Sequence, residues 1–387
     1  MFKILTLNNI SVAGLDRLPR DKYEIASEIV HPDAILLRSF KMHDMDIPES
    51  LKAVGRAGAG VNNIPVDKLT GMGIPVFNTP GANANAVKEL VIAALLMASR
   101  NLAQAWDYAR SLEGDDAVIA KAVEAGKKKY VGTELPGKTI GVIGLGAIGG
   151  RIANAVIDLG MNVIGYDPTV TIQHAWNLSS QVKRALSFEE LLSEADYITF
   201  HVPLVDATRD MLNTERIRHM KENAIILNFS RGGIVDDAAV IEAIDNGKLY
   251  AYINDFPTNQ NKNHPQVISL PHLGASTLEA EENCAVMAAN QIQDYLENGN
   301  ITNSVNFPEM KMPRAGASRV AISNSNVPNM VGQITSVLAD SGINITDMLN
   351  KSRGDIAYNL LDLETTVESN VAEKLKKIEG VLAVRIV

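Results

Sequence analysis

Between residues 139 and 274 the chain alternates between short apolar runs and amphipathic stretches. Thr139–Ile143 reads as a buried strand, and Ile148, Ile152, Val156 and Leu159 recur at helical spacing until Gly160. Further strand-like runs fall at 162–166, 197–202, 224–229, 249–253 and 267–270, with helical patterns such as 188–194 and 238–246 between them. Apolar runs without alternation, each followed by a helix, predict a parallel sheet covered on both faces.

The first turn of this region is Gly144-Leu-Gly146-Ala147-Ile148-Gly149, a G-x-G-x-x-G sequence. On its own that pattern is weak. Here it follows a strand, opens a helix and leads to Asp167 at the end of the next strand, the arrangement of a dinucleotide site. Gly144 permits a tight turn, Gly146 lets a pyrophosphate approach the backbone, and Gly149 lets helix and strand pack closely. The helix N-terminus offers free N–H groups to the phosphates. Asp167 suits ribose hydroxyls and repels a 2′-phosphate, so NAD is expected rather than NADP.

Ligands of open parallel sheets bind beyond the carboxyl ends of the strands. His201, Val202 and Pro203, Arg231, Asp255 and His272 all fall at such ends, beside the expected cofactor. An imidazole titrates near neutrality and suits proton exchange with a hydroxyl. A guanidinium binds a carboxylate in bidentate fashion. The set therefore points to hydride transfer at a hydroxy acid.

Residues 1–80 repeat the pattern on a smaller scale, with strand-like runs at 3–7, 34–37, 51–55 and 75–78. A long apolar helix is predicted over 84–107, and another over 284–296 would return the chain to the first lobe. The stretch 301–318 carries Pro308, Pro313 and Gly316 and reads as a linker. The tail reads strand, helix, strand, strand, helix, strand, a βαββαβ ferredoxin-like order. The expected organisation is α/β: two Rossmann-like doubly wound lobes, residues 1–92 with 280–305 and residues 93–279, then a linker over 306–318 and a regulatory tail over 319–387.

The net charge is −9 over 387 residues. That argues against a nucleic-acid or anionic-membrane partner, so an anionic substrate needs local cations. Arg38, Lys41 and Arg56 sit just past first-lobe strands and could supply them. Gly58 and Gly60 could add backbone N–H groups, and Asn83 a side-chain bond. The single cysteine, Cys284, cannot form an internal disulfide, which suits a reducing compartment. The start, MFKILTLNNI, has no basic leader, and no run approaches ~20 apolar residues. A cytoplasmic location is expected, and no motif calls for a metal.

The stretches GVIGLGAIGGRIA, HVPLVDATRDMLN, LNFSRGGIVDDAAV and PHLGAST, with RAGAGVNNI and PVFNTPGANANAVKEL earlier, resemble the NAD-dependent D-2-hydroxyacid dehydrogenase family over about residues 1–305. The resemblance implies that Arg231 holds the substrate carboxylate, His272 is the acid/base and Asp255 binds the nicotinamide amide. It also implies that Phe229, Ser230, Gly274 and Ala275 line the cofactor and that Ala147 and Ile148 meet the pyrophosphate. Members of the family carry a glutamate beside the histidine. Here Asn259 or Gln260 falls at that place, and no acidic residue lies between Asp255 and His272. An amide can orient an imidazole but adds no charge.

The tail resembles an ACT domain, a module that commonly binds an amino acid at a symmetric interface. The combination implies NAD-dependent oxidation of 3-phospho-D-glycerate to 3-phosphohydroxypyruvate, the first step of L-serine synthesis, in a homo-oligomer (dimer or tetramer). Asn324, Asn326 and Asn344 would be the L-serine ligands, although serine-sensitive relatives often have His at the first position. The alternatives are another hydroxy acid such as glycerate, a non-catalytic NAD sensor, or an amino-acid-binding regulator with a vestigial core.

Overall fold

A computed structural model describes all residues, Met1–Val387. They form two compact units, Met1–Asn83 with Leu278–Val387, and Ala84–Thr277.

The first unit opens with five parallel strands, β1 (Phe2–Leu7), β2 (Tyr23–Ala26), β3 (Ala34–Leu37), β4 (Ala53–Arg56) and β5 (Val76–Phe77). Their order is β2-β1-β3-β4-β5. The helix Leu278–Asn298 packs Ala285, Ala288, Ala289 and Ile292 into the core formed with Ile4, Leu36, Ala53 and Phe77. It starts earlier than the apolar spacing over 284–296 suggested, because its first turn is acidic and exposed.

The second unit holds seven parallel strands: β6 (Thr139–Ile143), β7 (Asn162–Tyr166), β8 (Val182–Arg184), β9 (Tyr197–Phe200), β10 (Ala224–Asn228), β11 (Leu249–Asn254) and β12 (Val267–Ser269). The order β12-β11-β10-β9-β6-β7-β8 reverses direction between β6 and β9, the switch point at which such sheets take their ligands. The single helix expected over 84–107 is two, Ala84–Ser99 and Leu102–Arg110. Asn101 between them is left-handed (φ 50°) and its side chain accepts the Tyr250 hydroxyl at 2.8 Å.

The tail is the expected βαββαβ unit: β13 (Ser318–Ser325), helix Met330–Asp340, β14 (Ile345–Arg353), β15 (Ile356–Leu363), helix Ser369–Lys376 and β16 (Val381–Ile386), in the antiparallel order β14-β15-β13-β16. Its helices cover one face through Ile322, Ile334, Leu338, Leu361 and Leu375. The other face is no free surface. Ala321, Ile356, Tyr358 and Leu360 join the core of the first lobe. Arg319 and Asp362, both fully buried, pair in bidentate fashion at 2.6 and 2.8 Å. The remaining Arg319 donors reach the carbonyls of Asn298, Met312 and Pro313 at 2.9 Å. Residues 306–318 are accordingly packed chain rather than a loose linker: Phe307, Met310 and Met312 are buried. Apolar side chains between the prolines tie the segment down.

Candidate active site

In the second unit, Gly144 has φ 86°, and a Cβ there would meet the His201 carbonyl oxygen at 2.5 Å. A Cβ on Gly149 would overlap the Gly144 carbonyl, whereas one on Gly146 would meet nothing within 4 Å. The first and third glycines are thus required by the protein itself, and the second borders open space. The amides of Ala147 and Ile148, ahead of the helix Gly149–Ile157, find no acceptor in the protein. Asp167 accepts the Leu145 N–H at 2.9 Å and the Thr169 N–H at 2.9 Å, which ties the ribose position to the glycine loop. These residues fit NAD: open amides for a pyrophosphate and a fixed carboxylate for a ribose.

His201 extends β9 beside that loop, its N–H on the Ile143 carbonyl at 2.7 Å. Its Nε2 is 2.8 Å from the Thr199 hydroxyl, and its Nδ1 is buried without a partner. Burial pushes the imidazole down to about 3, so it is neutral. Val202 accepts the Ser230 hydroxyl through its carbonyl, and the Pro203 carbonyl accepts the Thr208 hydroxyl at 2.6 Å.

The loops after β10, β11 and β12 carry Arg231, Asp255 and His272 on adjacent strands. Buried Asn228, the last residue of β10, accepts the Ser230 N–H at 3.2 Å and donates to the Arg231 carbonyl at 2.9 Å. Arg231 is half-buried and its guanidinium forms no ion pair with the protein. Phe256 joins the two functional loops. A Cβ on Gly232, next to Arg231, would touch the Phe256 side chain at 3.6 Å, and the Phe256 ring meets the His272 imidazole edge-on at 5.2 Å. The backbone at Gly232 and the His272 ring therefore both lie near Phe256.

His272 itself is left-handed (φ 57°), a conformation that costs a non-glycine residue about 1–3 kcal/mol and persists only where its surroundings enforce it. The enforcement comes from Asp255. Its buried carboxylate accepts the Leu273 and Gly274 N–H groups at 2.7 Å each. Asp255, expected at the nicotinamide, thus holds the histidine turn first of all. Ala275 follows within the same turn, closed by the Ser276 N–H on the Leu273 carbonyl at 2.9 Å.

Asn259 and Gln260 are exposed, and neither bonds His272. The residue that matters in that loop is Asn261, fully buried. It takes the Thr258 N–H at 2.8 Å and the Ser269 hydroxyl at 3.1 Å, and donates to Asp237 at 2.9 Å and to the Phe256 carbonyl at 3.2 Å. Sequence reading missed Asn228, Asn261 and Asn254, whose side chain donates to the Ser269 hydroxyl at 3.0 Å and accepts the Phe256 N–H at 2.9 Å. The available signal was a polar amide repeated at or just past the ends of apolar strands.

In the first unit, the Arg56 Nε donates to the Arg38 carbonyl at 3.1 Å, and its guanidinium folds over Gly58, where a Cβ would overlap it. Arg38 pairs with Glu281 at 2.7 Å. The Gly58 N–H closes a turn onto the Arg56 carbonyl at 2.9 Å, so of the two glycine amides only that of Gly60 stays open. Asn83 Oδ1 is buried without a partner, and Lys41 is exposed and unpaired. In the tail, Asn324 is buried, and its amide bonds the Ser325 carbonyl and Asn359, each at 2.7 Å. Asn326 and Asn344 are exposed and donate to the Gly354 carbonyl at 3.0 Å and Glu364 at 3.1 Å.

Residues 92–274 match the description "D-isomer specific 2-hydroxyacid dehydrogenase, NAD binding domain". The chain belongs to the D-isomer-specific 2-hydroxyacid dehydrogenase family, and its second unit is the NAD-binding domain, as the glycine loop and Asp167 led one to expect. Within that family its relatives include the D-3-phosphoglycerate dehydrogenases of Methanocaldococcus jannaschii, 36% identical over 88% of this chain, and of Haemophilus influenzae, 32% identical over 95%. The chain spans 64% of the archaeal relative and 89% of the Haemophilus one. Among solved structures, a cofactor (NAD+)-bound 3-phosphoglycerate dehydrogenase of Entamoeba histolytica superposes with a TM-score of 0.61 at 26% identity, covering 79% of this chain and 98% of that one. No helix is long and apolar enough to cross a membrane.

Proposed function

We propose that the protein oxidises the C2 hydroxyl of 3-phospho-D-glycerate to 3-phosphohydroxypyruvate with NAD, the first step of L-serine synthesis. The observation that carries this reading is that Arg231, Asp255 and His272 follow three adjacent strands at one edge of an NAD-binding domain, with the Phe256 ring against the His272 imidazole and the Arg231 guanidinium free of any ion pair, bonded to the Ser230 carbonyl at 2.7 Å. Arg231 binds the substrate carboxylate and polarises the neighbouring C2 oxygen. His272 takes the hydroxyl proton. NAD, when bound, supplies the hydride acceptor. Arg38, Lys41 and Arg56, with the Gly60 amide and Asn83, hold the phosphate end. The names carried by relatives at 32–36% identity support that substrate.

The deciding experiment is NADH formation with 3-phospho-D-glycerate, D-glycerate and other 2-hydroxy acids. The reading requires kcat/KM to be highest for the phosphorylated acid. A preference for plain acids would favour the other members of the family.

For the tail we favour a small amino acid such as L-serine. Asn326 and Asn344 are accessible for it, whereas the Asn324 amide is committed within the domain. L-Serine titrated against the full chain should raise its melting temperature. The edge strand β14 is exposed along most of its length, which supports a homo-oligomer. Buried, unpaired Cys284 supports a cytoplasmic location.

A further inference from the structure

Arg38 follows β3 directly, and its carbonyl is fixed by Arg56 Nε at 3.1 Å and Asn63 Nδ2 at 3.2 Å. Its backbone is therefore held, and its guanidinium projects from a defined place. That guanidinium is taken by Glu281, at 2.7 Å, from the first turn of the helix Leu278–Asn298. The two side chains are 38% and 42% exposed, so the pair is within reach of solvent and of a ligand. Cys284, one helical turn further on, senses the same group of charges. Burial pushes its thiol up, Arg38 and Arg56 pull it down, and Glu281 pushes it up. A carboxylate thus stands among the cations assigned above to a phosphate.

We propose that Glu281 is a built-in competitor for the substrate phosphate on Arg38, and so a specificity-determining residue of the phosphorylated-acid site. The inference rests on the preceding reading of Arg38 as a phosphate ligand. A carboxylate and a phosphate both fit the guanidinium fork, so binding is an exchange of one anion for the other. Release costs Glu281 little, because a half-exposed pair is weak and the carboxylate stays at a helix N-terminus. The exchange loosens the phosphorylated substrate and leaves an unphosphorylated acid, which has nothing to place on Arg38, unaffected.

The test compares the full-length wild type with E281Q and E282Q. Glu282 is exposed, forms no ion pair with Arg38, and controls for the loss of one negative charge. In E281Q the KM for 3-phospho-D-glycerate should fall about two- to fivefold, the range an exposed ion pair allows. Its kcat and its KM for D-glycerate should not change, and E282Q should match the wild type. An unchanged or raised KM in E281Q, or an equal fall in E282Q, would overturn the proposal. Thermal-shift titration with inorganic phosphate separates this from the parent reading. If the wild type fails to turn over 3-phospho-D-glycerate, the substrate assignment is wrong. Tighter phosphate binding by E281Q alone would still support the competition, and equal binding by all three proteins would refute it.

Discussion

The carboxylate of Asp255 accepts the N–H groups of Leu273 and Gly274, each at 2.7 Å, immediately past His272. A side chain at the end of β11 thereby fixes the turn that carries the candidate acid/base on the neighbouring strand, and holds His272 at a φ of 57°. Asn at this position keeps the shape but offers one acceptor where two are needed, leaving a buried N–H facing an NH₂ group. Asp255→Asn should lower kcat by about 10²-fold, the typical cost of a misplacement near 1 Å. The KM for the hydroxy acid should stay near the wild-type value. Kinetics together with amide exchange over 272–276 would check it, and a variant with protected amides and low kcat would point to the cofactor instead.

The glycine loop separates folding from binding. Gly149→Ala puts a methyl into the Gly144 carbonyl, so the second unit should lose thermal stability. Gly146→Ala meets nothing within 4 Å and should fold normally, yet lose NADH binding by at least about tenfold, since the methyl stands where a pyrophosphate approaches. Melting curves and NADH fluorescence titration distinguish the two.

His201 makes stability depend on pH. Folded, its imidazole is pushed down to about 3 by burial, from an ordinary 6.5 when unfolded. Between those values the unfolded chain binds the extra proton, so its stabilising contribution is complete above 6.5 and is lost as pH falls towards 3. The slope is about 1.4 kcal/mol per pH unit. His201→Gln should flatten the fall in melting temperature from pH 6 to 4. Parallel curves would contradict the assignment.

The Arg319–Asp362 pair locks the tail to the end of the helix Leu278–Asn298 and to the chain between them. Burial pushes the Asp362 carboxyl up, but bonds from Arg319 and the Ala315 N–H outweigh that and hold it below the usual carboxylate range. Asp362→Asn leaves a buried guanidinium without its counter-charge and should cost about 3–5 kcal/mol in urea unfolding. Replacing both partners, as in Arg319→Met with Asp362→Leu, removes the stranded charge but leaves the carbonyls of Asn298, Met312 and Pro313 without their donor, so it should recover only part of that loss. Tail and first lobe should unfold together in each case.

The sequence made most of this fold legible because its strongest signals are local. The run Thr139–Ile143 followed by GLGAIG dictates its own turn, and β6, β7 and β12 begin where the apolar runs begin. The strands Tyr23–Ala26 and Val182–Arg184 give little signal because each is an outer strand of only four or three residues. The break at Asn101 carries neither Gly nor Pro. Arg231, Asp255 and His272 were readable as strand-end residues, but their supports were not. Asn261 sits in a polar stretch that reads as plain loop until Asp237 and Ser269 close on it. The Arg38–Glu281 pair joins the two separate chain segments of the first unit, which no local pattern reveals.

The central claim is that His272 exchanges the substrate hydroxyl proton, and it is tested most directly by the kcat of His272→Gln on 3-phospho-D-glycerate with NADH affinity measured in parallel. The account predicts a fall of about 10²- to 10⁴-fold in kcat, with NADH binding within about twofold of wild type. A variant that binds NADH normally and keeps its turnover would contradict it.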